Sequence, residues 1–295
     1  MNTKTRGIVA YLLITFGVAW LDWAMAWLLG VAATSFLFQL VSLPASFSPA
    51  LAAIIVRRWI TREGFADAGW KLHFRRRWSY YLFAWLLPLP VIGVLLVLAP
   101  AFGLGQADLT LHRGLSILSP GLQLPAGGLW LVLGQLMLTA LVTTPLLWGE
   151  EFGWRSYLQI RLLNHRPLLA AIATGVIWGL WHYPIILLGD ERYENPLVGL
   201  LIFPVLTILL SVIFGWLRLK TGSIWPASLA HAATNSVGGP LSALLFVGGA
   251  SLSLVGYTGI LAWIPLGALC LWIIVSGQLK AEPAPSLQQV EVDSP

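Results

Sequence analysis

Long apolar runs separated by short polar segments dominate this chain. They follow neither the strict alternation of a half-buried strand nor the single apolar stripe of a surface helix. Eight runs approach the roughly 20 residues that a helix needs to cross a bilayer: about 8–31, 36–56, 79–101, 128–149, 168–188, 196–217, 224–247 and 254–277. A segment inside lipid must satisfy its own backbone hydrogen bonds, so runs of this kind predict helices. The expected fold is all-α, a polytopic membrane helix bundle of about eight transmembrane helices. The pattern predicts a single integral membrane domain over 1–280, with its polar motifs between about 128 and 250. Pro204, Pro226 and Pro265 interrupt the last three runs, which membrane helices tolerate. The first run follows Lys4 and Arg6 and exceeds the ~7–15 apolar residues of a signal peptide, so it reads as an uncleaved span.

Two segments stand apart. Residues 57–78 are basic and interleaved with Trp59, Phe65, Trp70, Phe74 and Trp78, the pattern of a stretch lying at a membrane interface. Residues 281–295 are polar and proline-bearing and read as a disordered cytoplasmic tail.

Charge then orients the bundle. With the N-terminus inside, 15 of the 17 Lys and Arg residues fall on the inner side and only Arg113 and Arg192 outside. Basic residues collect in cytoplasmic loops, so both termini are expected in the cytoplasm and the chain in the cell (plasma or inner) membrane. Most of the sixteen Trp residues read as anchors at the membrane interfaces.

Composition supports this picture. The 295 residues are 58% hydrophobic and 10% charged, with a mean hydropathy of +0.80, whereas a soluble domain carries about 25% charged residues. Membrane lipids are therefore the first expected partner. The net charge of +5 is explained by topology and anionic lipid, so no nucleic-acid partner is implied. A single cysteine, Cys270, rules out an intramolecular disulfide.

Ionisable groups within spans are costly and mark function. Here they form three clusters. Glu150 and Glu151 end the fourth run, with Arg155 four residues after Glu151; a helix would pair Glu151 with Arg155 and leave Glu150 turned about 100° away. His182 follows Trp178 by four residues in the fifth run, and Asn235 follows His231 by four in the seventh. Counting about 1.5 Å per residue from a turn at 164–167 puts Glu150 and His182 at one height, roughly 21–23 Å along their helices. His231 falls within the same inner half. The expectation is a convergent pocket open to the inner side. Asp22, midway along the first run, has no partner legible in the sequence.

These parts suit two chemistries. A buried carboxylate beside imidazoles can act as a general base on water. Alternatively, Glu150, His182 and His231 can hold a divalent metal such as zinc. Asn235 can donate to an oxyanion. The sequence has no His-Glu-x-x-His helix, phosphate-binding loop or Gly-x-Ser-x-Gly turn.

The segments EEFGWRSYL, WGLWHYP and HAATN, in that order, resemble the three motifs of the CPBP family, which comprises type II CAAX-prenyl proteases and bacterial bacteriocin-processing and immunity proteins. The resemblance covers about residues 145–240. Trp178 stands where the family often has Phe, and Ser156 where Gly is common. The resemblance implies an eight-helix intramembrane endopeptidase acting on a membrane-bound peptide or protein. Glu150 and His182 would activate water, His231 and Asn235 would hold the oxyanion or a metal, and Glu151 and Arg155 would support them. Two other readings use the same groups: a non-enzymatic immunity or scaffold protein, and a proton-coupled transporter.

Overall fold

The structure is a computed structural model describing residues 2–33, 35–125, 127–163 and 165–279. The tail expected over 281–295 lies outside the described residues. Among the described residues all regular structure is helical. The main helices are α1 (Thr3–Leu28), α2 (Phe36–Ile60), α3 (Phe74–Ala101), α4 (Gly128–Leu162), α5 (Pro167–Trp181), α6 (Pro196–Thr221), α7 (225–246) and α8 (Leu252–Val275).

The expected count of about eight spans divides into three kinds of helix. Six of them, α1–α4, α6 and α8, are long and apolar enough to cross a membrane. α5 has only 15 residues, and after a break at His182 the chain continues as a short helix, Tyr183–Leu187. α7 is long, but its His231, Thr234 and Asn235 make it too polar for lipid. Its segment from Pro226 to Ala233 is wholly buried, and it packs against α3, α4 and α6. It is the inner helix of the bundle, surrounded by protein, which is why it tolerates those polar groups.

Sequence sets the helix ends and bends. Asn195 caps α6 by accepting from the Leu197 N–H at 3.0 Å, and Pro196 follows at the first helical position, where its missing N–H costs nothing. Gly222, at φ 65°, ends α6 by donating its N–H to the Arg218 carbonyl, the αL termination that glycine permits. Pro204 within α6 cannot donate to the Leu200 carbonyl four residues back. That carbonyl instead accepts from the Tyr183 hydroxyl at 2.9 Å, which fastens the segment after His182 to α6.

α5 and α6 meet through small residues. A Cβ at Gly175 would lie 2.5 Å from Ile208 Cα, and one at Gly179 2.9 Å from Pro204 Cα. This Gly-x-x-x-Gly face brings the backbones together, close enough for the Thr207 hydroxyl to donate to the Gly175 carbonyl at 2.9 Å. Gly175→Leu should destabilise the protein by about 1–3 kcal/mol through overpacking, read as a lower melting temperature in detergent. Gly93→Leu, where an added Cβ meets nothing within 4 Å, should leave it unchanged.

Asp22 has a partner that the sequence does not reveal. Its carboxylate accepts from the Ala45 N–H at 3.3 Å. α2 is broken at Ser42, whose side chain makes no capping bond. The Asp22 anion therefore sits at the start of the Leu43–Ile55 segment, where unpaired amides favour negative charge.

The segment expected at the interface behaves only partly so. Trp59, Phe74 and Trp78 are exposed. Phe65, half-buried, and Trp70, still exposed on its outer side, also pack on Phe152 of α4, with ring centroids 6.3 and 4.9 Å apart. Arg57 is fully buried and donates to the Gly64 carbonyl at 2.6 Å, Asp67 at 2.8 Å and the Ser156 carbonyl at 2.9 Å. Arg218 of α6 donates to the Asp67 carbonyl, and the Ile224 N–H to the Gly69 carbonyl. Residues 61–70 are thus tied across α2, α4 and α6 on the side that carries most of the basic residues. These hydrogen bonds, which hydropathy alone does not signal, are the reason the segment departs from a purely interfacial path.

Candidate active site

The site begins at two glycines of α4. A Cβ at Gly149 would lie 2.8 Å from the Phe47 ring, and one at Gly153 2.3 Å from Pro49 Cβ. Only glycine lets α4 lie this close to α2, while Glu150 and Glu151, on the other faces of this turn, are buried against α5 and α7: Glu150 retains 6% of its surface and Glu151 none.

Glu151 gathers a charged network. Its Oε1 accepts from Arg155 Nη1 at 2.8 Å and from His231 Nδ1 at 2.9 Å. The Glu151–Arg155 pair expected from i, i+4 spacing is therefore present, and it also holds the imidazole of α7. Arg155 is completely buried. Its guanidinium carbon lies 4.3 Å from the Trp178 ring centroid and 5.2 Å from that of Phe214, a cation–π setting that accommodates a charge outside water.

Glu150 is held differently. Its Oε2 accepts from the Trp178 indole N–H at 2.9 Å and the Trp154 indole N–H at 3.4 Å. Its Oε1 takes no hydrogen bond from the described residues and is not among the sealed polar atoms. One oxygen is thus fixed by two indoles, and the other has no hydrogen-bond partner among the described residues.

The histidine tautomers follow from their partners. His182 Nδ1 lies 2.8 Å from the Trp178 carbonyl, which can only accept. Nδ1 therefore carries the hydrogen, and in the neutral ring Nε2 holds the lone pair. The carboxylate opposite His231 Nδ1 assigns the hydrogen there by the same logic. Trp178 links the parts: its indole holds Glu150, its carbonyl holds His182, and its ring lies 5.0 Å from that of His231. The expectation that Glu150 and His182 share a height thus takes the form of a shared partner.

A cavity of about 500 Å³ is lined by Trp178, His182, His231, Thr234 and Asn235. Asn235 lies in a π-turn, Thr234–Gly238, and its side chain is exposed. The same cavity is lined by Leu118, Ser119, Asp190, Glu191, Leu252 and Thr258. Those residues come from the segments after α3, after α5 and around the start of α8. All lie at the bundle end opposite the 61–70 segment. The cavity is thus bounded by loops at the end opposite the 61–70 segment and most of the basic residues, and not by that segment itself.

Sequence reasoning missed four participants. Trp154 and Trp178 stand within the motifs but carry no role in the sequence reading; they are 0% and 2% exposed and serve as donors. The Gly149/Gly153 spacing beside the acids was the available signal that this turn is buried. Asp190 and Glu191 sit in a loop, where nothing in the sequence distinguishes them from solvated acids. Burial first, then the charges of Asp190 and Glu150, push the Glu191 carboxyl above its usual range. Such a group binds its proton more tightly folded than unfolded, so stability falls as pH rises through the window between the two values. Glu191→Gln should raise the melting temperature near pH 8 and have no effect near pH 4.

The metal expectation was tested on the same geometry. Among the described residues, no group of three His, Cys, Asp or Glu side chains is placed to hold a metal ion. Glu150 Oε2 accepts from two indoles, and Nδ1 of each histidine has a protein partner, so Glu150 Oε1 and the two Nε2 atoms are the positions left for a ligand.

Two comparisons bear on this constellation. Residues 125–237, which include Glu150, Glu151, Arg155, His182, His231 and Asn235, match the family model of the type II CAAX prenyl endopeptidase Rce1-like proteins. This segment resembles the Rce1-like proteins. In addition, CAAX prenyl protease 2 of Methanococcus maripaludis is 33% identical over 93 residues, which are 29% of this chain and 34% of that protein. The match thus spans about a third of the relative's length. The Rce1-like match supports the resemblance read from the three motifs, and the matched family is one of proteases.

Proposed function

We propose that this protein is an intramembrane endopeptidase that hydrolyses a peptide bond in a membrane-associated peptide or protein. The observation that supports this most is a buried carboxylate, Glu150, held by Trp178, whose carbonyl holds His182 and whose ring lies beside His231, the two imidazoles being on the wall of a cavity. In this reading Glu150 Oε1 takes a proton from water as the hydroxyl adds to the scissile carbonyl carbon. The Nε2 of His182 orients that water. The Asn235 amide on the cavity wall donates to the oxygen that gains charge, and His231 can join it only as an imidazolium, with Nδ1–H on Glu151 and Nε2–H free to donate. The proton held by Glu150 then passes to the departing amine as the C–N bond breaks, giving an acid and a free amine. Glu151 keeps His231 in one orientation.

The name of the archaeal relative supplies a first substrate to try. Purified protein is incubated with a prenylated peptide ending in a CAAX sequence, and with the same peptide unprenylated, and products are identified by mass. Cleavage of either within its chain supports the proposal, and preference for the prenylated form would identify a lipid-bearing substrate. A parallel reaction with chelator asks whether activity needs a metal. The absence of cleavage across these and a set of membrane peptides would oppose the reading.

A further inference from the structure

We propose that Trp20 of α1 is a positioning residue for His182, holding the peptide unit from which His182 projects. The consequence for catalysis rests on the endopeptidase reading above; the positioning itself does not.

α5 ends at Trp181, and the residues that follow cannot continue it. Pro184 has no N–H to give the Leu180 carbonyl four residues back, and its ring crowds that turn. The chain restarts as the Tyr183–Leu187 helix, with His182 at the break. Carbonyls at such a helix end lack intrahelical donors and need partners from elsewhere. The Trp181 carbonyl finds one on α1: the Trp20 indole N–H donates to it at 3.0 Å. That carbonyl belongs to the same planar peptide unit as the His182 N–H. Fixing it fixes the plane that carries the His182 Cα.

The imidazole is held by the same helix at one remove. It meets the Trp181 ring edge-on, with centroids 4.7 Å apart. The Trp181 ring in turn meets Trp23 of α1 at 4.7 Å and Trp154 at 5.8 Å, and Trp23 and Trp181 are 3% and 1% exposed. Trp154 is the indole that donates to Glu150 at 3.4 Å. Beyond the break, the Tyr183 hydroxyl is fixed to α6 by the Leu200 carbonyl. His182 is therefore pinned from α1 before the break and from α6 after it. Ring packing limits where Trp181 can go, whereas the Trp20 hydrogen bond also sets the direction of its carbonyl.

An exposed tryptophan on a membrane helix usually serves as an interface anchor, and Trp20 keeps 43% of its surface. Its N–H, however, is directed at protein, at the one peptide unit that carries His182. Trp20 also lies outside residues 125–237, the segment matched to the protease family, so α1 contributes to the site from beyond that segment.

Trp20→Phe is the test variant. It keeps a ring against Phe16, now 5.3 Å away, and removes the donor. Trp27→Phe, at a 62% exposed indole of the same helix, is the control. Two measurements are made on purified protein in detergent. In hydrogen–deuterium exchange read by mass spectrometry, Trp20→Phe should exchange about fivefold faster than wild type over residues 182–187, the factor that matches loss of one hydrogen bond. α3 and α8 should be unchanged, and Trp27→Phe should match wild type throughout. Exchange over 182–187 equal to wild type overturns the proposal. In peptide hydrolysis, kcat of Trp20→Phe should fall by about tenfold to a hundredfold, the scale of a small misplacement at a reacting centre, while KM changes little. An indole that merely stabilises the fold would lower the melting temperature and leave kcat of the folded protein unchanged, a result that also overturns the proposal. If the wild type cleaves nothing, the endopeptidase reading fails, and the exchange pattern alone decides whether Trp20 positions His182.

Discussion

Glu150→Gln should lower peptide hydrolysis by about three orders of magnitude, within the usual range for removing a general base, while leaving the protein folded. The substitution is nearly isosteric. Its amide oxygen can still accept from Trp178 and Trp154, which now hold Oε2 at 2.9 and 3.4 Å. What is lost is the basic oxygen, so kcat should fall while KM changes little, and the melting temperature should match wild type. Trp178→Phe separates positioning from chemistry. It removes one of the two donors that fix Glu150 but keeps the carbonyl that holds His182 at 2.8 Å. It should reduce activity by a smaller factor, on the order of ten, measurable in the same assay.

The second large effect concerns stability. Glu151→Ala leaves Arg155, which has no exposed surface, without its carboxylate partner at 2.8 Å. Removing one member of a buried ion pair costs about 3–5 kcal/mol, so this variant should show a sharply lowered melting temperature and poor yield. The informative companion is Glu151→Gln with Arg155→Met, which removes both charges. Replacing a buried pair by groups of similar size is often neutral or stabilising, so the double variant should recover much of the lost stability. It should remain nearly inactive, because the charged acceptor that now orients His231 Nδ1 at 2.9 Å is gone. Recovery of stability together with activity would assign Glu151 a purely structural role.

Much of this was legible in the sequence for definite physical reasons. Apolar runs of membrane length located the helices, and a charge inside such a run is costly enough to draw attention to Glu150, His182 and His231. The i, i+4 spacing of Glu151 and Arg155 anticipated their ion pair. The cross-chain arrangement was not legible. Nothing local reveals that Glu151 also holds His231, eighty residues away, or that Asp22 meets Ala45. The loops that bound the cavity were not legible, because heights counted from a helical hairpin place groups along an axis but say nothing about which end lines a cavity. The donor roles of Trp154 and Trp178 were not legible either: an indole at a membrane surface and an indole serving a buried carboxylate look alike until burial is known. The transporter reading requires a route to both faces, whereas the loops that line the cavity lie at one end.

The most direct measurement is hydrolysis of membrane-peptide substrates by purified wild-type protein and by Glu150→Gln, with both shown to be equally folded and the products sequenced by mass spectrometry. The account predicts defined internal cleavage by the wild type and none above background in the variant. Equal cleavage by the two proteins would contradict the role given to Glu150, and no cleavage by either would contradict the assignment of this site to peptide hydrolysis.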